Sequence, residues 1–230
     1  MSDSPVERLG SLYLEDMAII ALTKRECAQP PDVHPDLEDS RRARLRSRIK
    51  QVSRHDWPAN RTEDPLIRRG YTLRQCYRLI VALLLIDAHL APSYAVALAK
   101  ANELALLRLI VARLEAHGAA NESAAKNDRI AVVLLGELTE MVAEVPWHAA
   151  ERQRIRLIER SQLVGLWSIK DLAHSGQRLP LDVGTAALAV WHWMTERRLM
   201  TGAALTQLAE QLDRENGPEF CPLPNVVPRR

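Results

Sequence analysis

A mainly α-helical fold is predicted by three observations. Ala, Leu, Glu and Arg dominate the 230 residues, alternating Val/Ile/Thr runs are nearly absent, and only nine glycines and 4% aromatic residues occur. With 47% hydrophobic residues there is material for a substantial core, in one or two domains. Periodicity places helices near residues 15–26, 36–53, 73–88, 93–116, 128–144, 162–174, 185–199 and 203–215.

The first, Glu15 to Cys27, carries Met17, Ile19, Ile20 and Leu22. A Pro-rich link, Gln29 to Pro35, follows it, and Pro35 suits the first turn of a long helix running from about Asp36 to Ser53. That second helix is the most lopsided part of the chain. Between Arg41 and Arg54 lie seven cationic residues and no acidic one. The imbalance is local: residues 1–40 hold three basic and nine acidic groups, residues 41–78 twelve and three, and residues 79–230 sixteen and seventeen. The net values are −6, +9 and −1, and an anionic partner senses this local sign.

Leu45, Ile49 and Val52 recur at i, i+4 and i+7, a stripe about 60° wide at about 100° per residue. The opposite side carries Ala43, Ser47, Lys50 and Arg54, flanked by Arg46 on one edge and by Arg44 and Gln51 on the other. Small residues ringed by donors suit a close approach to base edges in a major groove. Arg41, Arg42 and Arg48 lie nearer the apolar edge, where phosphates would be met. The same pattern also describes the solvated face of an amphipathic helix, or an arm that binds acidic protein.

Residues 53–72 are rich in Pro, Asn and Gly and read as a loop or short hairpin, kept cationic by Arg61, Arg68 and Arg69. Thr72 is the expected N-cap of the very apolar helix that follows. A basic helix, a basic irregular loop and then Arg68-Arg69-Gly70-Tyr71-Thr72 is similar to the winged helix-turn-helix modules of the MerR type, whose wing ends in a like Arg-Tyr-Thr/Ser step. Leu73 to Leu98 resembles the helix, short turn and helix that follow the wing in that family, with His89 where the family turn prefers Gly. The link before Asp36 is longer than the family's usual turn of three or four residues. The likeness spans about residues 41–100.

It implies a winged helix-turn-helix-like DNA-binding region within residues 1–117; composition adds a linker at 118–127 (Gly118-Ala-Ala-Asn-Glu-Ser-Ala-Ala-Lys-Asn127), a helical C-terminal domain at 128–216 for dimerisation or effector binding, and a tail at 217–230 with four prolines. The implied DNA-binding residues are Arg44, Arg46, Ser47, Lys50, Gln51, Arg54, Arg61, Arg68 and Arg69, acting on double-stranded DNA. The apolar positions of the helix from Ser93 extend around much of its circumference, so a partner must cover them, either a second copy in a homodimer or the C-terminal half of the same chain. Arg152 to Ser161 fits a strand or a helix, and a small β-hairpin is allowed around residues 145–159. Four of the five tryptophans, Trp147, Trp167, Trp191 and Trp193, lie in the C-terminal half, as core or as the lining of an effector pocket.

Catalytic and metal signals are weak. The seven histidines show no i, i+3 or i+4 pairing, no Gly-rich phosphate loop or nucleophile elbow occurs, and Glu137, Glu140 and Glu144 lack the Glu-x-x-His that a helical di-metal site needs. Neither a cofactor nor an enzymatic activity is expected. Cys27, Cys76 and Cys221 are too scattered for a disulfide framework, and Cys76 reads as a buried hydrophobe. The most apolar run, Leu79 to Ile86, is too short to span a membrane and no leader is visible, so a cytoplasmic location is expected. Two functions follow: a MerR-like transcription regulator, or a non-enzymatic helical adaptor whose basic helix grips an acidic protein.

Overall fold

In the computed structural model, residues 6–23, 35–59, 62, 64–118, 129–134, 155–163 and 178–215 are described. They form a mainly helical fold with one small antiparallel sheet. The elements are α1 (Leu14–Thr23), α2 (Pro35–Ser53), α3 (Leu73–Asp87), α4 (Pro92–Ala101), α5 (Glu103–Gly118), β1 (Arg129–Leu134), β2 (Ile155–Glu159), β3 (Arg178–Leu181), α6 (Val183–Glu196) and α7 (Gly202–Arg214).

The centre is α3. All but three of its fifteen residues are buried, and α1, α2, α4, α5, α6 and α7 all touch it. Its start is fixed chemically: the Thr72 hydroxyl accepts from the Gln75 amide while the Thr72 amide donates to Gln75 Oε1, a capping box. Its end closes at His89, whose φ of 66° is left-handed. The His89 amide donates to the Ile86 carbonyl and that of Leu90 to Leu85, a Schellman closure that usually takes glycine. Cys76 is fully buried, and burial pushes its thiol pKa up, leaving a small apolar group.

One expected helix is two. The stretch predicted as a helix over 93–116 breaks at Asn102, a buried residue with φ of −115° whose Nδ2 donates to the Leu98 carbonyl. This local bond competes with helix continuation. Glu103 then opens α5 between the guanidinium groups of Arg74 and Arg78. The apolar circumference of α5 is covered by α6 and α7 of the same chain, the second of the two covers its pattern allowed.

The expected helix at 128–144 is corrected over Arg129–Leu134, which form β1; its remaining residues lie outside the described residues. Arg129–Leu134 is the central strand of the sheet, in the order β2-β1-β3, with Val133 opposite both Ile155 and Leu179. One sheet face, with Ala131, Val133, Ile155, Leu157, Leu179 and Leu181, joins the main core; the other holds Ile130, Val132 and Ile158. Apolar on both faces, β1 has no alternation to betray it. Of the hairpin allowed around 145–159, Ile155–Glu159 form β2, which pairs with β1, and residues 145–154 lie outside the described residues. The helix predicted at 162–174 lies almost wholly outside the described residues, as do Trp147 and Trp167.

Side chains from before and after residues 118–127 share one hydrophobic core, in which α6 packs on α1 and α5. Asp182 caps α6, accepting from the Thr185 amide and hydroxyl and from Arg160. Among the described residues no helix is long and apolar enough to cross a membrane.

Candidate nucleic-acid interface

The nineteen residues of α2 make a rod of about 28 Å. Its aliphatic edge is seated as expected: Leu45 and Val52 are buried and Ile49 packs against the core, with α1, α3 and α4 as neighbours. The charges divide by angle around the helix. Arg42 reaches Asp16 of α1 at 3.0 Å, and Arg46 leans toward Glu15 at 3.6 Å. On the other edge Arg48 reaches Asp87, the last residue of α3, at 3.0 Å. These pairs brace α2 and remove part of the charge of Arg42, Arg46 and Arg48 from the free surface. Of these, Arg42 and Arg48 were the edge residues expected to meet phosphates.

The face left over holds Ala43, Arg44, Ser47, Lys50 and Arg54, all exposed. Arg44 donates to the Ser40 carbonyl at 3.4 Å within the helix. Arg41, Arg44, Lys50 and Arg54 make no ion pair with the described residues. Gln51 is half-buried on the Arg44 edge. Arg44 and Arg54 are about 15 Å apart along the axis, close to the width of a major groove of about 12 Å.

Beyond Ser53 the chain turns on Trp57, which is buried. Its Nε1 donates to the Arg78 carbonyl at 2.9 Å, and the Arg78 guanidinium stands 4.9 Å over the indole centre. Lys100 Nζ donates to the His55 carbonyl at 3.0 Å and lies 5.8 Å from the same ring, adding a cation near the C-terminal end of α2 that the sequence pattern gave no reason to select.

Arg68 and Arg69 are exposed in a 3-10 turn, Ile67–Arg69, and neither forms an ion pair among the described residues. Arg61 lies outside the described residues. No strand pair forms within the described part of this loop; Tyr71 instead bridges Leu9, with N to O distances of 2.7 and 2.8 Å in the two directions. Asp64 anchors the turn, accepting from both terminal nitrogens of Arg8 and from Gln75 Nε2 and the Leu66 amide. The hydrogen bonds from Arg8 are the main reason its carboxyl pKa is lowered, against the upward push of burial.

The two basic regions sit in sequence along α3. Arg48 contacts Asp87 and Trp57 contacts Arg78, so α2 runs antiparallel to α3; Thr72, six residues before Arg78, is about 9 Å further along. The Arg68–Arg69 turn therefore lies past the C-terminal end of α2.

No group of three or more metal-binding side chains occurs among the described residues. Trp193 is buried in the core. No family model, curated protein or solved structure matches the chain.

Proposed function

We propose that the protein is a DNA-binding transcription regulator whose α2 enters the major groove of a duplex. The observation that carries this is the division of charge on α2: its edge arginines face carboxylates of α1 and α3, while Arg44, Lys50 and Arg54 surround the small residues Ala43 and Ser47 on the solvent side. Bulky, acid-paired side chains there would hold bases away; small ones let the backbone approach.

A MerR-like module is supported by element order: α1, α2, a cationic turn, then the capped α3 and α4 joined at His89. The left-handed His89 backbone is the conformation that a glycine at that turn supplies. The single bridge from Tyr71 to Leu9 and the 3-10 turn differ from a paired wing, so Arg68 and Arg69 serve as a short phosphate-gripping turn. Any contact between two copies lies away from the apolar face of α5, which α6 and α7 occupy.

Selection of bound duplexes from a random-sequence pool tests the proposal. Wild type is expected to enrich a motif, Arg44→Ala/Lys50→Ala to blur it, and Arg68→Ala/Arg69→Ala to weaken all sequences alike. No retention of duplex at moderate salt would leave the adaptor for an acidic protein in its place.

A further inference from the structure

His117, at the C-terminal end of α5, and His192, in the middle of α6, are 75 residues apart and meet with their Nε2 atoms 3.1 Å from each other. Their ring centres are 4.9 Å apart and the rings stand at 86°. We propose that these two imidazoles form a bidentate site for a borderline divalent transition-metal ion of the zinc or nickel class.

The separation fits. With metal to nitrogen bonds of about 2.0–2.1 Å, two nitrogens on one ion are about 3.3 Å apart at a tetrahedral angle and about 2.9 Å apart at a right angle. The observed distance falls between. The site is also built in advance, because the helices that carry it are locked by the core they share: Ile110 and Leu114 of α5 and Val190 and Trp193 of α6 are all buried there. Neither Nδ1 has a protein partner among the described residues, so each ring can carry its proton on Nδ1 and leave the Nε2 lone pair for the ion. His117 is exposed and His192 half-exposed, which leaves room for water to complete the coordination shell. Imidazole donors select zinc, nickel or copper over magnesium and calcium, which prefer oxygen.

Without an ion, the same pair is a hydrogen bond in which one ring donates to the other. The two states differ in what they predict. An ion bound between α5 and α6 stabilises the folded chain increasingly with the logarithm of its concentration above the dissociation constant, whereas a simple hydrogen bond does not respond to metal.

The experiment is calorimetric titration of the metal-free full-length protein with nickel chloride and with zinc chloride, with thermal unfolding followed in parallel. Wild type should bind one nickel ion with histidine-dependent affinity, and its unfolding midpoint should rise with nickel concentration. His117→Asn and His192→Asn should each weaken this binding by at least the about 10- to 100-fold that loss of a mere supporting group costs at metal sites. Magnesium should do nothing. Equal nickel affinity in wild type and both variants, or no binding at all, would overturn the proposal. Both positions lie at the surface, and circular dichroism of the variants confirms that they fold. The outcome is independent of DNA binding, which a separate titration reads.

Discussion

The Arg48 guanidinium lies 3.0 Å from the Asp87 carboxylate, tying the middle of the basic helix to the last residue of the central one. Both side chains are substantially exposed, 38% and 54%, so the pair contributes at most about 1 kcal/mol to stability. Its larger consequence is electrostatic, since it neutralises one cation at the edge of the proposed interface. Asp87→Asn should change the urea midpoint little and bind duplex DNA more tightly, with a salt dependence steeper by about 0.9 on log–log axes.

His89 holds a left-handed backbone that costs a residue with a Cβ about 1–2 kcal/mol, while glycine there adds less than that in unfolded-state entropy, about 0.5–1 kcal/mol. His89→Gly should therefore stabilise the protein by up to about 1 kcal/mol. Urea denaturation with an unchanged slope would confirm it; a loss of stability would mean the imidazole makes a contact of greater worth.

Gly70 is the opposite case. Its φ is 130°, and a Cβ there would meet the Leu9 carbonyl oxygen at 2.6 Å, within the backbone bridge that closes the Arg68–Arg69 turn. Gly70→Ala should cost about 2 kcal/mol or more, and hydrogen exchange at the Leu9 and Tyr71 amides should accelerate.

Asp64 links pH to the same turn. Its folded pKa lies below the ordinary carboxylate value, chiefly through the Arg8 hydrogen bonds, so its contribution is complete above about pH 4 and is lost as pH falls through the lower folded value. Stability of wild type should fall below about pH 4, and Asp64→Asn should lower stability at neutral pH while flattening that decline. Urea midpoints between pH 2 and 6 read both.

The helical class, the Pro35 start of α2, the Thr72 cap and the two faces of α2 were legible because each rests on neighbours three or four residues apart. Ile130 to Leu134 misled because a strand covered on both sides has the same uniform apolarity as a buried helix. Asn102 lies in a run of good helix formers, Leu98-Ala99-Lys100-Ala101 before it and Glu103-Leu104 after it, and its side-chain bond to the Leu98 carbonyl and the grip of Arg74 and Arg78 on Glu103 reveal the break. The pairing of Arg46 with Glu15 and the meeting of His117 with His192 depend on helix packing, which no local spacing encodes.

The central claim, that the free cations of α2 lie on DNA, is tested most directly by duplex affinity across a salt series for wild type and for Arg44→Ala/Lys50→Ala. The log–log slope should be strongly negative in wild type and shallower by about two units in the double variant, with folding unchanged. Identical slopes for the two proteins, or wild-type binding that ignores salt, would contradict it.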